Sequence, residues 1–123
     1  MNPKSIFMLA LFVIIAGCDR QNSPIKNCTI RYAFSSQILS IESSSDCQNI
    51  YKFLNSTEVN KDDSILLNLS TEFTIRIVLE NELITVFKID KEGFFSKNES
   101  SKEIRGSVDL KYYEYIEKIY KGK

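Results

Sequence analysis

The sequence predicts an α+β domain: a small antiparallel sheet of about four to five strands, with a short helix and a C-terminal amphipathic helix packed on one face. Three observations carry this reading. Residues 73–79 and 83–89 alternate apolar and polar side chains on either side of a polar turn. Residues 47–54 and 112–120 instead repeat apolar side chains at helical spacing. The chain is 123 residues long, 43% hydrophobic and 26% charged. That is one domain's worth of chain, with enough Ile, Leu, Val and Phe for a core, and it excludes a two-domain enzyme and a disordered chain.

Each element has its own local reason. Cys28, Ile30, Tyr32 and Phe34 alternate with Thr29, Arg31 and Ala33, the period-two pattern of a half-buried strand. Residues 37–42 offer a second strand with Leu39 and Ile41 inward. The run Ser43-Ser44-Ser45-Asp46 supplies helix-capping side chains, and Cys47, Ile50, Tyr51 and Leu54 follow at i, i+3, i+4 and i+7. Residues 55–63 read as a polar loop, and 65–69 as a further strand. Glu80-Asn81-Glu82 separates two alternating runs, so 72–90 reads as a hairpin. Lys91-Glu92-Gly93 turns into Phe94-Phe95, and the Asn/Glu/Ser-rich stretch beyond reads as loop. Ser107 or Asp109 caps the last helix, whose core face is Tyr112, Ile116, Ile119 and Tyr120, and Gly122 ends it.

Charge and composition narrow the chemistry. Sixteen basic against sixteen acidic residues argue against a nucleic-acid binder that lives on phosphate contacts. No histidine is present, so imidazole-based triads and zinc sites are excluded. No G-x-S-x-G or S-x-x-K frame supports a serine nucleophile, and Glu80, Glu82, Asp62 and Asp63 sit in turns or loops as solvated charges. We therefore expect no catalytic residues, no metal and no cofactor. Four Asn-x-Ser/Thr triplets, at Asn27, Asn55, Asn68 and Asn98, arise at the frequency that abundant Ser and Thr give by chance.

The N-terminus points to a compartment. Lys4 precedes ten consecutive apolar residues, Ile6 to Ile15. That run is too short to span about 30 Å of hydrocarbon and matches a secretory signal peptide. Ile15-Ala16-Gly17-Cys18 resembles the lipobox of bacterial lipoproteins, an aliphatic residue and two small ones before cysteine. The resemblance covers residues 1–18 and no domain family. It implies removal of residues 1–17, a diacylglyceryl group and an N-acyl chain on Cys18, a polar tether over 18–27 and a single domain over 28–123. The implied location is a bacterial envelope, with the domain in the periplasm. Asp19 resembles the signal that retains such proteins in the inner rather than the outer membrane.

Lipidation of Cys18 leaves Cys28 and Cys47 as a pair. Either they form a structural disulfide, which an oxidising periplasm permits, or they are two buried free thiols. Four tyrosines crowd the last helix. Four exceed what one buried face needs, so Tyr113 and Tyr115 are expected to be exposed as a protein-binding interface; the alternative is core packing by Tyr112 and Tyr120, with Tyr113 and Tyr115 as plain surface residues. The expected function is a membrane-anchored, non-enzymatic protein-binding module of the immunity, exclusion, inhibitor or accessory-subunit type. The competing expectations are a small envelope hydrolase acting on peptidoglycan or lipid, and a purely structural envelope protein.

Overall fold

A computed structural model describes residues 24–122. The signal segment, Cys18 and Asp19 lie outside the described residues. The strands are β1 (Ile25–Tyr32), β2 (Ile38–Ile41), β3 (Asn60–Lys61), β4 (Phe73–Leu79), β5 (Ile84–Ile89), β6 (Phe94–Glu99) and β7 (Lys102–Ser107). The helices are α1 (Ser44–Asn55) and α2 (Leu110–Lys121). All seven strands join one antiparallel sheet in the order β2-β1-β4-β5-β6-β7-β3. The α+β class holds, but seven strands replace the four to five expected.

Strand alternation sets the core. Rows of paired residues run across the sheet on one face: Tyr32, Phe73, Ile89 and Phe95; then Leu39, Ile30, Ile75 and Phe87; then Ile41, Cys28 and Ile77. Both helices lie on this face. Cys47, Ile50, Tyr51 and Leu54 of α1 are buried, the four residues that helical spacing selects. Ser43 is the N-cap, accepting from the Asp46 amide, and Asp109 caps α2 by accepting from the Lys111 amide. Phe53 joins the helices, its ring centroid 4.8 Å from that of Tyr112 and 4.1 Å from that of Tyr115.

The differences from the sequence reading have local causes. β1 stops at Tyr32 because Ala33 turns with φ 51°, which leaves Phe34 75% exposed rather than inward. Residues 65–69 form no strand: they belong to the connection from β3, on the sheet's edge, to β4 in its interior. That connection must pass β7, β6 and β5, roughly 19 Å at about 4.8 Å per strand. β3 and β7 are polar strands without apolar alternation. β3 can lie against β7 because Gly106 has no side chain; a Cβ there would stand 2.2 Å from the Asn60 carbonyl oxygen. Gly93, with φ +84°, closes the β5–β6 turn.

The crossing connection is pinned from beneath. Asp90, fully buried at the end of β5, accepts the Glu92 and Phe94 amides through Oδ1 at 3.0 Å each. Its Oδ2 accepts the Asn68 amide at 2.8 Å. One carboxylate thus closes the turn and holds the long connection across the sheet. Asp90→Ala leaves three amides short of a partner, so the expected loss is about 3 kcal/mol or more. Urea denaturation measures it, and exchange of the Asn68 amide should accelerate in step. A loss under about 1 kcal/mol would mean that the connection is held by something else.

Candidate functional site

Cys28 leaves the middle of β1 toward the helices, and Cys47 starts the buried face of α1. Their Cα atoms are 6.0 Å apart and their sulfurs lie at bonding distance, 2.01 Å. Both are buried, so the pair staples α1 to the sheet inside the core.

The two expected interface tyrosines are placed differently. Tyr113 is buried, 7% exposed, with its ring 5.3 Å from that of Phe73, and this corrects the expected exposure. The reason is helical geometry: Tyr113 lies seven residues from Tyr120, two turns away, and so shares the core face that Tyr120 borders. Tyr115 is half-buried and stacks on Phe53 at the other margin of that face. Burial pushes the Tyr113 phenol up to about 12, and the Tyr32 phenol, Glu117 and Asp90 add to the shift. Burial likewise raises Tyr115, with Asp46 adding to it.

Two clefts flank the helices. One, of about 510 Å³, is lined by Ile41 of β2, by Asp46, Asn49 and Ile50 of α1, and by Tyr115, Lys118, Ile119 and Gly122 at the end of α2. Its lining is mainly apolar and includes the charged Asp46 and Lys118, the composition of a binding groove. The other, about 690 Å³ and polar, runs between the end of α1 and the start of α2, past Ser56, Glu58, Asn60, Asp109 and Lys111. Sequence reasoning missed the first because its walls come from three elements far apart in the chain. Only the apolar residues Ile41 and Ile119 at element ends could have hinted at it.

Toward β7 the inner face turns polar. The row of Ile77 continues through Thr85, Glu99 and Lys102, and that of Phe87 through Lys97 and Ile104. The Thr85 hydroxyl donates to Glu99 Oε2 at 3.1 Å, and Lys97 stands 5.8 Å over the Phe87 ring. Among the described residues, no helix lies on the opposite face. That face presents Arg31, Arg76, Lys88 and Arg105 with Glu103, which is ion-paired to Arg105. Glu72 at its end is buried; Oε1 accepts the Thr74 hydroxyl and Oε2 has no partner among the described residues.

Among the described residues, no three His, Cys, Asp or Glu side chains converge as metal ligands, and no helix is long and apolar enough to cross a membrane. No protein-family model, curated protein or solved structure matches this chain.

Two measurements check this geometry. Without reductant, unfolded protein should leave Cys28 and Cys47 resistant to alkylation, and reduction should lower stability by about 3 kcal/mol. Two freely alkylated thiols would restore the free-cysteine alternative. For Tyr113, the folded state holds the proton to about pH 12 while the unfolded chain releases it near 10. Its stabilising contribution is therefore intact below pH 10 and lost as pH rises toward 12. Urea unfolding at pH 9, 10 and 11 should show a decline shallower in Tyr113→Phe, by up to about 1.4 kcal/mol per pH unit. Identical declines would show that Tyr113 ionises normally.

Proposed function

We propose that this chain is a lipid-anchored protein of a bacterial cell envelope whose domain captures a protein partner at the membrane surface and performs no chemistry on it. The observation that carries the reading is Ile15-Ala16-Gly17-Cys18 behind Lys4 and the Ile6–Ile15 apolar run. Each buried methylene of an acyl chain contributes about 0.8 kcal/mol of membrane affinity, so a diacylglyceryl group with an N-acyl chain on Cys18 anchors the protein lastingly. Asp19 favours the inner over the outer membrane, with the domain on the periplasmic side. Seven peptide steps separate Cys18 from Ile25, where β1 begins, which keeps the domain within about 25 Å of the anchor.

Three further features support the reading. An oxidising periplasm is the setting in which a Cys28–Cys47 bond persists. The chain has no histidine for acid–base chemistry at neutral pH. The apolar groove between α1, α2 and β2 offers a partner's side chain a place to bury. An immunity, exclusion, inhibitor or accessory-subunit role fits these properties.

The test is the mass of the N-terminal peptide from protein extracted from membranes, beside a Cys18→Ser control. The expected result is a peptide beginning at Cys18 that carries diacylglycerol and an acyl chain, and loss of membrane association in the control. An unmodified chain starting at Met1 would overturn export. Cleavage without lipid would release the domain from the membrane and remove the tethered reading.

A further inference from the structure

We infer that β2 is a docking edge for a second copy of this chain: two molecules set their β2 strands side by side, antiparallel, and continue the sheet across a two-fold axis. The two ends of the sheet differ in a way that singles out β2. The β7 end is blunted. β3 covers Gly106 and Ser107, the Asp62 amide bonds the Arg105 carbonyl, and Lys102, Glu103 and Arg105 line the rest with charge. Short covering strands and charged side chains are how sheet edges avoid pairing with another chain.

β2 is short, and the Tyr120 hydroxyl donates to the Gln37 carbonyl at its start, but the strand itself carries no charge. Among the described residues it pairs only with β1, and no strand lies on its far side. Its pairing with β1 is regular from Ile38 to Ile41, with no bulge to twist the edge away. Gln37-Ile38-Leu39-Ser40-Ile41 contains no charge and no proline, and its Ile and Leu side chains suit a strand. Ile38 on the open face is 55% exposed, and Ser40 beside it is exposed.

The lack of charge suits a second copy as the occupant. In a two-fold antiparallel pair of identical strands, opposed residues share a face, so the central residue meets its own counterpart and those flanking it meet residues two positions along; any charge on the strand would meet a like charge close by. β2 presents none, and two copies pair without repulsion. Such a contact is isologous and closes at two molecules. On the helix side, the pairing also sets the partner's Leu39 and Ile41 near the apolar groove that Ile41 helps to line. A four-residue seam is small compared with a stable interface, so the association is weak and concentration-dependent. The pairing does not depend on the lipid anchor. Where two anchors do share one bilayer, the two-fold axis stands normal to both sheet and membrane, and the sheet lies parallel to the membrane.

Sedimentation of the full chain in detergent over a concentration series up to about 1 mM tests this. The expected result is a monomer at the low end that moves toward twice the mass at the high end. Ile38→Lys places a cation on the seam from an exposed position and should raise the dissociation constant at least tenfold. Ser40→Lys, also solvent-facing, should do the same, and it decides the matter if Ile38→Lys lowers the thermal midpoint. A chain that stays monomeric throughout would overturn the proposal. So would a dimer that both lysine variants form as well as wild type.

Discussion

β1 and β4 lie side by side in the sheet but are separated by residues 33–72 of the chain, and everything in that excursion is placed by their pairing. The register from Tyr32↔Phe73 to Cys28↔Ile77 puts Ile30, Phe73, Ile75 and Ile77 on one face, each essentially without exposure. That slab of aliphatic and aromatic surface is what the helices cover. α1 reaches it from within the excursion and is held to β1 by the Cys28–Cys47 pair. α2 arrives from the other end of the chain and sets Tyr113 and Tyr120 against the Phe73 ring. The return from β3 to β4 is the difficult part, because it must cross three strands. The buried Asp90 carboxylate supplies what an irregular segment lacks, a fixed acceptor for its backbone.

Much of this arrangement is legible in the sequence, and what is not shares one cause. The hairpin over 72–90, the capped α1 and the C-terminal helix are read correctly because their burial has a period that local spacing displays. Setting Cys18 aside leaves Cys28 and Cys47, the two that the structure brings together. β7 escapes notice because Lys102-Glu103-Ile104-Arg105 lies beyond the helices, where the inner face is polar, so its strand identity comes from pairing with β6 and not from alternation. β3 is two residues long, and only Gly106 on its partner betrays the close approach. Tyr113 is misread because the core face of α2 is wider than a stripe set by four residues. Large rings such as Phe53 and Phe73 extend contact to both margins of the helix. The candidate groove is not legible at all, since its lining combines residues 41–50 with 115–122.

The placement of the helices explains why the two ends of the sheet differ. The inner face is apolar along β2, β1 and β4 and through Phe87, Ile89 and Phe95, and gives way to Lys97, Glu99 and Lys102, with Thr85 satisfied by Glu99. Helix faces that must bury Leu54, Tyr112 and Ile116 gain nothing over those charges, so α1 and α2 settle toward β1 and β4. The β7 end is edged by the short β3 and carries charged residues where the helices do not reach. The β2 end is uncharged, and it lies beside the groove where α1 and α2 part above Ile41. One gradient, apolar to charged across a single sheet face, thus decides where the helices sit. It also leaves the uncharged edge and the apolar groove on the same side of the molecule, where a single partner can touch both.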